Sequence, residues 1–218
     1  AWILILISFV FCFIYAIIME IVLSCNYKDI DQLQVLLVFI TSEVTRMPNY
    51  ESITLKEELH IRKIYSIHYF EYMKDYVFDG ESHDFWEFLC VDKGEVTVTA
   101  GEEKLTLQQG QIIFHEPNEF HNVEANGKIA PNLVVISFSC DSPCMEQFRN
   151  LITTISETEK TFLAQIIREA RHCIATPLDN PFTQKMERCV SAPFASEQMI
   201  QLYLELLLLS MLRRLKQK

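Results

Sequence analysis

From about Ile61 to Ser139 the sequence is a succession of short β-type segments cut by turn residues, and this limits the fold more than any other feature. Ile61 to Met73 is rich in Ile, Tyr and Phe and gives out before Asp79-Gly80. Asp84 to Val91 is aromatic and β-branched and stops at Asp92-Lys93-Gly94. Glu95 to Thr99 alternates with period two, turns at Ala100 to Glu103, and is followed by Lys104 to Leu107 as its hairpin partner. Gln111 to His115 ends at Glu116-Pro117-Asn118, and Glu119 to Glu124 and Asn132 to Phe138 complete the series. Six or seven short strands at intervals of about 8–12 residues predict an all-β sandwich or barrel.

After Cys140 the period becomes helical. Ser156 and Glu159 have the spacing of a capping box. They precede Phe162, Leu163, Ile166, Ile167, Ala170 and Ile174, an apolar face at helical spacing. A loop marked by Pro177, Pro181 and Pro193 follows, and Ser196 is expected to cap a last helix running to Arg214. From Met199 to Leu212 that helix is apolar on almost every side, so it needs cover all round. Two sources fit: burial within one chain, or the first helix and barrel supplemented by a second subunit.

With 19 basic against 29 acidic residues the 218-residue chain carries a formal charge of −10. An acidic surface repels phosphate backbones, which argues against nucleic-acid binding by this stretch alone. The basic end Arg213-Arg214-Leu215-Lys216-Gln217-Lys218 suits either the last turn of a helix or the approach to a basic domain. Seven cysteines without a repeated CxxC pair read as reduced thiols of a cytoplasmic protein. Residues Ala1 to Met19 lack charge, which is long enough for a bilayer crossing, yet no basic n-region or cleavage site accompanies them. Three readings stand: a membrane anchor within residues 1–24, a buried helix, or sequence preceding a natural start at Met47. The expected organisation is a hydrophobic extension over 1–46, a β domain over 47–140 and a helical region over 141–218.

The chemistry concentrates in Gly80-Glu81-Ser82-His83-Asp84-Phe85-Trp86-Glu87 and in Pro117-Asn118-Glu119-Phe120-His121. Residues two apart share a strand face, so Glu81, His83, Phe85 and Glu87 are expected on one side. If that side is interior, His121 can approach from a second strand pair. Two imidazoles with a carboxylate are what borderline divalent metals accept. A hydrogen-bonded structural pair of His83 and Glu87 is the alternative, since a buried carboxylate must be paired or protonated. Phe85 and Phe114 are expected to wall the pocket, while Trp86 and Phe88 face the helices. His115 is expected as a solvated turn residue and His68 as a strand-face residue.

These residues resemble the cupin superfamily. His83, Glu87 and Gly94 match the later positions of its first motif, and Gly110, Pro117, His121 and Asn126 approximate its second with shifted spacing. Glu81 stands where the first motif has its first histidine, which leaves two imidazoles and one or two carboxylates. His83-Asp84-Phe85-Trp86-Glu87 followed by Lys93-Gly94-Glu95 is further similar to the sensing domain of AraC-type transcription regulators, and the two trailing helices match that family's order. The resemblance covers about Met47 to Lys218. It implies a cupin barrel (double-stranded β-helix, or jelly roll) that binds a small metabolite or sugar through His83, Phe85, Glu87, Phe114 and His121. A helical dimerisation and linker region would follow, giving a homodimer that is not an enzyme and for which no cofactor is expected. DNA contact is expected only through a helix-turn-helix domain that this stretch does not contain. The alternative is a metal-dependent cupin enzyme, a dioxygenase or isomerase, holding iron, manganese or zinc on His83, Glu87 and His121.

Overall fold

The computed structural model describes residues 50–217 together with Glu20. The barrel and the helices belong to one compact unit, Lys56–Lys218. Its strands are β1 (Lys63–Glu71), β2 (Val77–Glu81), β3 (Trp86–Lys93), β4 (Glu95–Ala100), β5 (Glu103–Gln108), β6 (Gln111–His115), β7 (His121–Ala125), β8 (Asn132–Ser139) and β9 (Ile152–Thr154). They form a five-stranded sheet in the order β1-β8-β3-β6-β9 and a four-stranded sheet in the order β2-β7-β4-β5. Each pairing between them is antiparallel. A 3-10 turn (Pro143–Phe148) leads to the helices α1 (Glu157–Cys173) and α2 (Ser196–Lys216). The expected β barrel with trailing helices is what the chain forms.

Two cores share the five-stranded sheet. Leu89, Val91, Ile113, Leu133 and Val135 project inward against Val96, Val98, Leu107 and Val123 of the opposing sheet. The alternate residues, Trp86, Phe88, Cys90, Ile112, Phe114, Val134, Ile136 and Phe138, project outward beneath α1 and α2. This two-sided burial explains why Trp86 to Val91 is buried at every position. At about 25 cal/mol per Å² of apolar surface, each large outward side chain contributes about 1.5–3 kcal/mol.

Two strands were not legible as strands. β2 runs through Asp79-Gly80, where a turn is expected, because it pairs with β7 (Phe78↔Val123, Glu81↔His121) across an irregularity between Phe78 and Glu81. Gly80 permits this: its φ is +102°, and a Cβ there would lie 2.5 Å from the Phe120 ring and 2.8 Å from the His121 carbonyl. The three-residue β9 is held by pairing to the edge of β6.

The capping box forms as expected. Ser156 Oγ accepts from the Glu159 amide at 3.3 Å, and Glu159 Oε2 accepts from the Ser156 amide at 2.7 Å. Glu159 also receives Arg214 of α2 at 3.0 Å, which ties the start of one helix to the end of the other. Ser196 does not cap α2. The cap position belongs to Ala195, in the left-handed region at φ 62°, and makes no side-chain cap. In α2 Ile200, Leu204, Leu207, Leu208, Met211 and Leu212 are buried within the chain, whereas Leu202 and Leu206 are 44% and 45% exposed. Among the described residues no helix is long and apolar enough to cross a membrane. The membrane-anchor reading of residues 1–24 lies outside the described residues.

Candidate functional site

Strand pairing builds a polar rung across the inner face of the five-stranded sheet. Ser66 pairs with Ser137, Ser137 with Glu87, and Glu87 with His115. The next inward rung is His68, Val135, Leu89 and Ile113, apolar except at its β1 end. The opposing sheet contributes the pair Glu81 and His121, and the turn between β2 and β3 contributes His83 and Phe85. These groups line a cavity of about 380 Å³ whose remaining wall includes Tyr65, Tyr72, Tyr76, Phe78 and Val123. Such a size and mixture suit a small ligand.

One carboxylate organises the polar end. Glu87 is buried, and its Oε2 accepts from the Ser137 hydroxyl at 2.5 Å. His121 Nε2 stands 3.4 Å from one Glu87 oxygen and His83 Nε2 stands 3.6 Å from the other. The tautomers follow from the far nitrogens. His83 Nδ1 donates to the Phe85 carbonyl and His121 Nδ1 to the Glu119 carbonyl, each at 3.0 Å, because a carbonyl only accepts. When neutral, both rings therefore aim an Nε2 lone pair at a carboxylate, and both Nε2 atoms are buried without a hydrogen-bond partner. A proton, a metal ion or a donor group of a ligand placed there would satisfy both lone pairs.

Burial alone would push the Glu87 carboxyl up, but the adjacent His121 and His83 imidazoles and the Ser137 hydroxyl bring it well below the usual carboxylate range. Burial likewise pulls His121 down, and the adjacent Glu87 outweighs it and raises the imidazole pKa. His115 goes the other way: burial lowers its pKa despite a 2.9 Å hydrogen bond from Nδ1 to Glu119 Oε2. Glu119 thus orients two imidazoles at once, His115 through its side chain and His121 through its backbone.

A donor set for a divalent ion is present. One ligand atom from each of Glu81, His83, Glu87 and His121 lies within 4.8 Å of the others. Donors at the usual distance of about 2.0–2.2 Å around one metal are themselves about 3–4 Å apart, so these side chains fit with small rotations. Two imidazoles with carboxylates suit zinc, iron or manganese.

The expected residues divide unevenly. His83, Phe85, Glu87 and His121 come together in the cavity, with Phe85 stacked between Tyr65 and His83 at 3.8 Å from each ring centroid. Phe114 does not. It pairs with Phe88, points to the outer core and packs on Phe148 at 4.4 Å, because inward positions of β6 are Ile113 and His115. His115 is 1% exposed, lines the cavity and stacks on His121 at 4.4 Å, so the solvated-turn reading is replaced. Trp86 and Phe88 do face the helices. Asn126 ends a turn instead of reaching the cavity, accepting from the Lys128 and Ile129 amides. Ser137 and Tyr72 gave no motif signal; Ser137 is revealed by the register that sets it opposite Ser66 and Glu87, and Tyr72 by the cavity it lines.

No curated protein sequence matches the chain. Among solved structures it is similar to the Schizosaccharomyces pombe Cnp3 cupin domain, at 14% identity over 47% of this chain and 75% of that one, with a TM-score of 0.33. It is also similar to a cupin protein of Bacteroides fragilis (18% identity, 43% and 86% coverage, TM-score 0.30). A third similarity is to cobalt(II) HppE in complex with substrate (27% identity, 28% and 36% coverage, TM-score 0.25). The profile of the AraC-like ligand binding domain matches residues 63–202, which is most of the chain. The chain belongs to the AraC-like ligand-binding domain family.

Proposed function

We propose that this chain is the effector-sensing and dimerising part of an AraC-type transcription regulator, cytoplasmic in location, with the barrel cavity as its effector site. The observation that carries the reading is the cavity of about 380 Å³ holding two partnerless imidazole nitrogens beside ionised Glu87. A folded protein keeps such unsatisfied groups at a cost of about 1–3 kcal/mol each, which a ligand or ion recovers on binding. Glu81, His83, Glu87 and His121 would hold a divalent cation, which supplies Lewis acidity toward an oxygen of the effector. His115 and Ser137 orient the donors, and Phe85, Tyr72 and Phe78 shield them from water. Partial exposure of Leu202 and Leu206 on α2 supports pairing with a second copy. In this reading DNA recognition is the work of a helix-turn-helix domain and not of the barrel or its two helices.

Binding is tested by thermal unfolding with Zn²⁺, Mn²⁺ and a metabolite panel. A ligand at about 100 times its Kd stabilises the fold by about 2.7 kcal/mol. Absence of any stabilising compound or ion would reject the effector-site reading. The donor set also favours a second reading, a metal-dependent enzyme such as a dioxygenase or isomerase working on His83, Glu87 and His121. Product formation by the iron- or manganese-loaded protein would select that reading, and saturable binding without turnover would select the sensor.

A further inference from the structure

The cavity carries further polar groups besides the His83–Glu87–His121 cluster. His68 sits on the otherwise apolar rung beside Val135, is 8% exposed, lines the cavity, and has no hydrogen-bond partner for Nδ1. Burial holds its pKa below the usual histidine value against the pull of Glu87 and of the Leu178 carbonyl, so near neutral pH the ring is uncharged, with Nδ1 left open to a ligand. Thr183, from the loop joining α1 to α2, lines the same cavity, and its Oγ1 is likewise buried without a partner. Neither atom is served by the polar rung, whose own hydrogen bonds run from Ser66 through Ser137 to Glu87.

The loop is held at this position by backbone. The Tyr69 amide donates to the Leu178 carbonyl at 3.0 Å, so the free edge of β1 is where the loop attaches. Further along, the Ala175 amide donates to Glu187 and the Cys189 amide to Cys173, while Arg188 makes a paired contact with Glu197 in the first turn of α2. A side chain that reaches the cavity from this loop therefore belongs to a segment fastened to both helices.

We propose that His68 and Thr183 form a second recognition point of the effector site and read a hydroxyl or carbonyl on the effector, at a place distinct from its metal-facing head. The wall also carries Tyr72, Phe78, Leu89, Val123 and Val135, which accept an apolar body. The ligand class that satisfies all three is a small ring compound with an acidic or chelating head and a separate hydroxyl or carbonyl. This rests on the effector-site reading above and adds the part played by β1 and the inter-helix loop.

The test titrates Zn²⁺-loaded protein with 4-hydroxybenzoate and with benzoate by calorimetry, in wild type, His68→Phe and Thr183→Val. Zn²⁺ binding is measured separately in each. Wild type is expected to prefer the hydroxylated acid by about tenfold, the value of one satisfied buried hydrogen bond. Each substitution is expected to bring that preference below about threefold and leave Zn²⁺ affinity and benzoate affinity unchanged. Equal binding of both acids to wild type, a preference untouched by both substitutions, or no binding of either acid overturns the proposal. Failure of Zn²⁺ to bind with the preference retained would instead remove the metal from the effector-site reading and leave this second point standing.

Discussion

The two faces of the five-stranded sheet are made by alternate residues of the same strands, yet they do different things. The outward residues of β3, β6 and β8 are Trp86, Phe88, Cys90, Ile112, Phe114, Val134, Ile136 and Phe138, and every one is apolar and buried under the helices. The inward residues include Glu87, His115 and Ser137 in a single row, beside a rung that is apolar except for His68. One face holds the fold together. The other face carries groups that are individually unfavourable to bury and are arranged around a cavity. Stability and binding are thus separable by residue parity, and substitutions one position apart should have opposite signatures.

The largest expected effect is on the outer face. Phe88→Ala should cost about 3–5 kcal/mol of unfolding free energy, read by chemical denaturation, while Zn²⁺ binding by the folded protein is retained. One residue earlier, Glu87→Gln should lower Zn²⁺ affinity by about 100-fold or more and leave the metal-free protein within about 2 kcal/mol of wild type. If Glu87→Gln unfolds the protein as Phe88→Ala does, the division between faces fails.

A smaller effect is expected where the helices are fastened to each other. Burial raises the Glu159 pKa, but Arg214 and the Ser156 cap outweigh this and leave it lowered. A carboxyl with a depressed folded pKa contributes stability above its unfolded value, and this is lost as pH falls through the folded one. Arg214→Ala should therefore cost about 1–2 kcal/mol at pH 7, discounted for the partly exposed guanidinium, and the difference from wild type should vanish in acid. The smallest effect on the monomer belongs to Leu202→Ser and Leu206→Ser, about 0.5 kcal/mol each. Together they should shift the sedimentation of the proposed dimer to that of a monomer.

Alternation and turn chemistry made most of the fold legible. The β4–β5 hairpin, the strand Gln111 to His115 and the Ser156 capping box all follow from local patterns. What escaped was set by tertiary pairing. β2 passes through an Asp-Gly pair that reads as a turn, and only its register with β7 and the close approach of Phe120 and His121 to Gly80 make it a strand. Ser196 has cap chemistry, but the cap position falls on Ala195.

The candidate site was legible in part for the same reason. His83, Glu87 and His121 could be found because their spacing carries a motif. Phe114 and His115 were exchanged, since a strand end offers no local sign of which neighbour turns inward, and one residue of register reverses the answer. His68 and Thr183 could not be paired from sequence, because they are brought to one cavity by a loop that crosses from the helices to the edge of β1.

The most direct test of the inner face as a binding site is calorimetric titration of Zn²⁺ into the metal-free wild-type protein and into His121→Ala. The account predicts one ion per chain in wild type and an affinity lower by about 100-fold or more in the variant, with both proteins folded. No binding to wild type, or equal binding by both, would contradict it.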